Sequence, residues 1–260
     1  SAPGEWIPFA GGTDLMVLME AGKLPGRRFL DLWRIDQLRG IQVTDEWITI
    51  SALSTYTDLL QHPVLPRELP LIAAAARETG AVAIQNRGTV GGNIANASPA
   101  ADLPPALLVY DAELEVASIR GRRRVAYENF HIGYKKMDLA PDELIVSVRV
   151  PRRDPFTRAS YRKVGTRRAQ AISKICFAAG IRSGADGVLR DVRIALGSVA
   201  PTVVRARAAE DVLRGGRPDA QRIAAARRAL ATDITPIDDI RSTASYRLKV
   251  AGNLLEEFLA

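Results

Sequence analysis

A chain of 260 residues with 47% hydrophobic and 25% charged side chains is an ordinary globular sequence, able to build one large core or two modest ones; its one outlier is charge, 36 Lys and Arg against 29 Asp and Glu, a net +7. A single cysteine, Cys176, excludes an internal disulfide, a Cys-ligated zinc site and a self-contained iron–sulfur cluster, and two histidines, His62 and His131, leave little for a metal centre. No apolar run approaches the roughly 20 residues of a membrane span, and the start SAPGEWIPFAGG shows no basic-then-apolar secretory pattern, so the cytoplasm is the expected compartment.

In chain order, Phe29 to Leu32 reads as a short buried strand, and Trp47 to Ser51 alternates like a strand with one covered face. Ser54 and Thr55, with Asp58 three positions after Thr55, mark a helix start. Leu71 to Glu78 is rich in helix formers and Gly80 stands where a C-terminal glycine belongs. Ala112 to Ala126 predicts a hairpin around Arg120-Gly121-Arg122, and Leu144 to Val150 a strand stopped by Pro151. The two prolines and mixed charge of 151–158 predict a domain boundary. Beyond it, Ser160 to Val164, Ile172 to Arg182 and Val188 to Ser198 predict three strands, the last two joined by the turn at 184–187. Helices are expected over Val204 to Leu213, Asp219 to Ala231 and Thr243 to Leu259, the last with a core stripe of Tyr246, Val250, Leu254 and Phe258. Strands followed by helices argue an α+β fold.

Two glycine-bearing turns carry the chemistry. Ala10-Gly11-Gly12-Thr13-Asp14-Leu15 follows an apolar run; paired glycines free backbone N–H groups to converge on an anion, with the Thr13 hydroxyl beside them. The same pattern also suits a plain strand-to-helix turn. The second turn, 86–99, has three glycines in five residues (Gly88, Gly91, Gly92) interleaved with Thr89, Asn93, Asn96 and Ser98. It matches neither the dinucleotide fingerprint nor a Walker A loop. Asp102 before Leu103-Pro104-Pro105 reads either as a helix N-cap or as a carboxylate for a sugar or ribityl hydroxyl. Two separated donor-rich turns suit a ligand with two phosphates and a long polar chain.

AGGTDL at 10–15, NRGTVGGNIANASPAADLPPALLVYDA at 86–112, FHIGYKKMDLAPDELIVSVRVP at 130–151 and YRKVGTRRAQAISK at 161–174 together resemble the FAD-binding medium subunit of the molybdenum hydroxylases, the xanthine dehydrogenase and carbon monoxide dehydrogenase family. The resemblance runs nearly end to end, and GYKKMDLAPDELI is more similar to the xanthine dehydrogenase branch. It implies an FAD-binding domain over 1–153, made of two small subdomains (about 1–52 and 53–153), and a C-terminal domain over 157–260 of three strands plus helices. It also implies that the two glycine turns (Ala10 to Leu15; Thr89, Gly91, Gly92, Asn93, Asn96) hold the FAD pyrophosphate through backbone N–H groups. Thr89 and Asp102 match flavin-binding residues of the family, and Ile145 and Lys163 match residues at the isoalloxazine end. The implied role is electron transfer from a 2Fe-2S iron–sulfur subunit, fed by a molybdopterin subunit, to NAD or another acceptor. Only ten residues precede Gly11 where the family has a longer leader, so a flavin held less firmly than in longer relatives is expected.

The rivals are a stand-alone flavin reductase of similar fold, which would need an internal acid that no residue announces, and a flavin-free scaffold subunit. Cys176 in an apolar run is expected to be a buried free thiol, and His131, without a nucleophile partner, to be structural. Pro141-Asp142 suits turn capping better than acid–base work. Residues 151–182 hold nine cations against Asp154 alone. With thin aromatic interleaving, this argues against nucleic acid and for a docking face toward an acidic subunit, a funnel for an anionic dinucleotide, or a plain solvated surface.

Overall fold

The computed structural model describes residues 5–260. The chain opens with β1 (Ile7–Phe9), the short helix α1 (Leu15–Glu20) and β2 (Phe29–Asp31), with β1 and β2 paired in parallel. No residue of α1 is buried, and Met16, Val17 and Met19 are exposed. After a 3-10 turn at Asp36–Leu38 come β3 (Ile41–Val43) and β4 (Trp47–Ser51). Six short helices follow: α2 (Tyr56–Gln61), α3 (Leu65–Glu68), α4 (Pro70–Glu78), α5 (Val82–Gln85), α6 (Val90–Ala95) and α7 (Pro104–Val109). Then come β5 (Glu113–Ser118), β6 (Gly121–Ala126), the small hairpin β7 (His131–Gly133) and β8 (Lys136–Met137), and β9 (Leu144–Pro151).

These strands build an antiparallel five-stranded sheet in the order β3-β4-β9-β5-β6. The alternation of β4 buries Ile48 and Ile50 against the helices, in one core with Leu59, Ile72, Leu107 and Val148. Helix α2 starts with the expected capping box: the Thr55 hydroxyl accepts from the Asp58 amide and the Asp58 carboxylate from the Thr55 amide. Gly80 follows α4 at φ +60°. The hairpin turn falls one residue earlier than expected, because Gly121 already pairs with Ser118 as the first residue of β6.

The second sheet runs β10 (Arg158–Val164), β11 (Ile175–Ser183), β12 (Leu189–Gly197) and β13 (Val204–Arg205), all antiparallel. A fourth, short strand therefore joins the three expected. Val204, expected in a helix, pairs with Leu196 instead, and α8 begins only at Arg207 (Arg207–Leu213). Helices α9 (Ala220–Asp233) and α10 (Ala244–Leu259) complete the chain and cover one face of this sheet with Phe177, Ile194, Leu213, Leu230, Leu255 and Phe258. The opposite face carries Ala178 and Ala195, small enough for α7 to pack on β11 and β12, and joins the first core. That explains why Ile175 to Gly180 is buried without alternation.

The core face of α10 is rotated from the expected stripe. Leu254 and Phe258 are buried, but Tyr246 is 40% exposed. Its neighbour Arg247 is buried because its guanidinium donates to the Ser198 carbonyl at 2.8 Å and to Asp239 at 2.7 Å. A buried cation with two acceptors outweighs the aromatic side chain at that position.

Candidate functional site

The two glycine turns, about 80 positions apart in sequence, touch. A Cβ on Gly11 would lie 1.7 Å from the Arg87 carbonyl oxygen, so the first turn seats directly on the backbone leading into the second. Gly12 adopts φ +78°, with Phe9 filling the space a side chain would need. The Asn96 side chain donates to the Asp14 carboxylate at 3.2 Å, tying the end of α6 back to the start of α1. On the other side, the Lys135 ammonium donates to the Asn96 carbonyl at 2.6 Å and to its side-chain oxygen. Lys135 sits at φ +57° in the tight β7–β8 turn, inside the motif at 130–151, where the sequence pointed to Ile145 and not to Lys135.

The turns differ in what they offer a ligand. In the first, the amides of Gly11, Gly12, Thr13, Asp14 and Leu15 donate to no acceptor among the described residues, a run of free N–H groups at one concavity. In the second, the expected free amides are committed within the fold. Gly91 donates to the Ala52 carbonyl at 2.8 Å, Gly92 to the Thr89 hydroxyl oxygen at 3.1 Å and Asn93 to the Thr89 carbonyl at 2.9 Å. The reason is local: Thr89 is the N-cap of α6, and its side chain takes the amide three residues on. What the second segment offers a ligand is side-chain groups, while its glycines let the backbone pack closely within the fold. A Cβ on Gly91 would meet Ala52 at 2.7 Å and one on Gly92 the Thr89 hydroxyl at 2.8 Å. The Asn93 side-chain oxygen is buried without a partner, and the Thr89 hydroxyl keeps its own proton to donate.

Asp102 is not the N-cap of α7. That position is Leu103, with no side-chain cap bond. Asp102 is 9% exposed and its carboxylate accepts from the Lys163 ammonium at 2.8 Å; Lys163 also donates to the Glu78 carbonyl at 2.8 Å. Burial raises the Asp102 carboxyl above its ordinary range, and the nearby Lys163 charge offsets part of that rise. Ile145 lies apart from this polar group, on β9 opposite Val116, with its side chain in the first core. The structure thus gathers Ala10 to Leu15, Thr89, Gly91 to Asn93 and Asn96 at one junction and Asp102 with Lys163 at a second. The junctions are linked through α6 and the loop that follows it.

Five of the nine cations of the basic run are paired with acids, while Arg158, Arg167 and Arg168 stay exposed. Arg152 pairs with Glu68, Arg153 with Asp111, Arg162 with Glu257, Lys163 with Asp102 and Arg182 with Asp191. The acids come from other segments of the chain, which a local charge count cannot see. Asp142 pairs with Arg120, while the turn at 140–143 is capped by Glu143, whose carboxylate accepts from the Ala140 amide at 2.8 Å. A cavity of about 630 Å³ lies at the other end of β9 and β10, among Glu68, Tyr110, Arg152, Phe156 and Arg182, away from the glycine turns.

Residues 4–153 match the family described as the FAD binding domain in molybdopterin dehydrogenase, and residues 159–260 the CO dehydrogenase flavoprotein C-terminal domain. The xanthine dehydrogenase FAD-binding subunit of Escherichia coli O157:H7 is 30% identical over 253 residues, covering 96% of this chain and 86% of the relative. The carbon monoxide dehydrogenase medium chain of Hydrogenophaga pseudoflava is 30% identical over 250 residues, with the same shares. A crystallised carbon monoxide dehydrogenase of H. pseudoflava superposes with a TM-score of 0.93 at 31% identity, covering 98% of this chain and 88% of that one. Overall identity does not separate the two branches. The junction of two glycine turns, the orphaned Asn93 oxygen and the α+β architecture agree with these matches, and the chain belongs to the FAD-binding medium subunits of the xanthine dehydrogenase and carbon monoxide dehydrogenase family, flavoprotein subunits of molybdenum-containing oxidoreductases.

Proposed function

We propose that this subunit holds FAD across the junction of its two glycine turns and relays electrons from a 2Fe-2S partner subunit, itself fed by a molybdopterin subunit, to NAD or another acceptor. The observation that carries the reading is the contact of Gly11 with the Arg87 carbonyl: two segments rich in glycine close on each other with no room for a side chain, and five amides at the seam have no acceptor among the described residues. A dinucleotide pyrophosphate needs such a cradle of donors and close backbone approach. The residues present fit the group. Gly11 to Leu15 supply the amides, Gly91 and Gly92 the close packing that seats α6, Thr89 and Asn93 polar side chains, and Asp14 with Asn96 the brace between the turns. Asp102 and Lys163 are the charged pair for the ribityl and isoalloxazine end, while Ile145, with its side chain in the first core, carries no part of this reading. FAD, when bound, supplies the redox chemistry by accepting electrons singly and releasing them in pairs.

The division at 153/157 into an FAD-binding domain and a C-terminal domain is supported by the spans of the two family matches. The xanthine dehydrogenase branch is favoured by the motif at 133–145. The test is an absorbance spectrum of the purified chain across the visible region, with released cofactor identified after denaturation, followed by reduction and mixing with NAD. Two flavin bands, one FAD per chain and NADH formation are expected. A colourless chain that takes up no added FAD overturns the cofactor site, and a reduced flavin oxidised by quinone or oxygen and inert toward NAD overturns the acceptor.

A further inference from the structure

Cys176 and Tyr161 lie under Asp102 in an arrangement that neither a buried thiol nor a core tyrosine requires. In the β10–β11 register Lys163 stands directly opposite Cys176, and Tyr161 is two residues before Lys163, so all three share one face of the sheet. On that face they converge on one residue. The Cys176 thiol donates to one carboxylate oxygen of Asp102 at 3.3 Å, and Lys163 occupies the other at 2.8 Å. The Tyr161 hydroxyl donates to the Asp102 backbone carbonyl at 2.9 Å, with the Cys176 sulfur 3.5 Å away. The cluster is dry: Cys176 is 0% exposed and the Lys163 side chain 6%. Burial pushes the Cys176 thiol up to about 12 and the Tyr161 hydroxyl well above its ordinary range, so both keep their protons as fixed donors. The Lys163 ammonium spends two of its three protons on Asp102 and Glu78 and retains one.

We infer that Cys176 and Tyr161 are positioning residues for the flavin site, holding the Asp102 carboxylate in one orientation and, through it, the Lys163 ammonium. The inference rests on the reading that Asp102 and Lys163 face the flavin. Without the thiol, one Asp102 oxygen is left buried and unpaired, and the carboxylate is free to rotate away from its ligand-facing geometry. The mutation should therefore act on cofactor binding through Asp102, with fold stability a smaller effect.

The experiment titrates FAD into the full chain and its variants, following flavin fluorescence and the visible circular dichroism of the bound flavin, with thermal midpoints recorded in parallel. Cys176→Val should weaken FAD binding about tenfold and alter the flavin dichroism. Cys176→Ser, which restores a donor, should recover most of the affinity and the spectrum. In Asp102→Asn, which is itself expected to bind weakly, adding Cys176→Val should cost nothing further. Wild-type affinity and dichroism in Cys176→Val, or losses that simply add in the double variant, overturn the positioning role. An Asp102→Asn chain that binds FAD as tightly as wild type overturns instead the assignment of Asp102 to the flavin site. If Cys176→Val does not fold, Tyr161→Phe, which deletes a single hydroxyl, carries the same comparison: weaker binding with altered dichroism supports the role and an unchanged titration overturns it.

Discussion

At the scale of single residues, the site is built from what is missing as much as from what is present. Gly11→Ala places a methyl where the Arg87 carbonyl already sits, so one turn must move off the other. The expected outcome is loss of FAD binding together with a destabilisation of about 3 kcal/mol, read from urea unfolding and an FAD titration. Gly91→Val meets Ala52 and should likewise remove the flavin bands, whereas full occupancy in that variant shows that the second turn does not approach the cofactor. The first turn was legible from its glycine pair, whereas the segment 86–99, expected as a turn, carries helix α6 across Gly91 and Gly92 once Thr89 caps it. The exhaustion of the Gly91 amide was not legible, because its acceptor, the Ala52 carbonyl, becomes available only when α6 docks on the strand-to-helix loop before α2; the Gly92 and Asn93 amides are taken locally by Thr89 once it caps α6.

At the scale of elements, the short glycine-rich helix α6 has little intrinsic propensity and depends on braces. Thr89 caps its start, and at its other end the His131 ring nitrogen Nε2 lies 2.9 Å from the Ile94 carbonyl, with the Tyr127 hydroxyl 3.4 Å from Nδ1. Burial lowers the His131 imidazole below its ordinary 6.5, and the bond to the Ile94 carbonyl only partly counters that. The unfolded chain therefore takes up this proton first as pH falls. The His131 contribution is fully present above about 6.5 and is lost progressively toward the lower folded value. Thermal midpoints and FAD affinity measured between about pH 5 and 8 should decline together on the acid side, and His131→Gln should flatten that part of the profile. A profile equally steep in His131→Gln places the titration elsewhere. The sequence predicts a structural role for His131, but its partner on α6 lies 37 positions away and only the fold supplies it.

At the scale of the whole molecule, the two sheets are locked by a buried ionic network. Arg205 on β13 donates to Glu210 at 2.6 and 2.9 Å, to the Leu108 carbonyl at the end of α7 at 3.0 Å and to Asp111 at 2.9 Å. Glu210 is fully buried and also accepts the Ile194 amide. Arg205→Met leaves that carboxylate without its hydrogen-bonded counter-charge, with Arg207 and Arg214 only at 3.8 and 3.9 Å, and should cost about 3 kcal/mol. Urea unfolding followed by fluorescence checks this, with much of the loss recovered in Arg205→Met/Glu210→Leu. A single-variant loss below about 1 kcal/mol shows the network to be a surface-like pair.

What this sequence determined by itself is what short-range pattern can encode: the strand alternation of Trp47 to Ser51, the Thr55–Asp58 capping box, the turn glycines, the α+β order and, through four long motifs, the FAD-subunit family. What only the tertiary structure decided is every pairing across distance. Five of the nine cations of 151–182 pair with acids from Glu68 to Glu257, Asp102 is turned from a helix cap into the partner of Lys163 and Cys176, and Arg247 displaces Tyr246 from the core face of the last helix. The physical reason is common to all three. A buried charge or donor adopts the partner that desolvation forces on it, and that partner is set by chain packing rather than by neighbours in sequence.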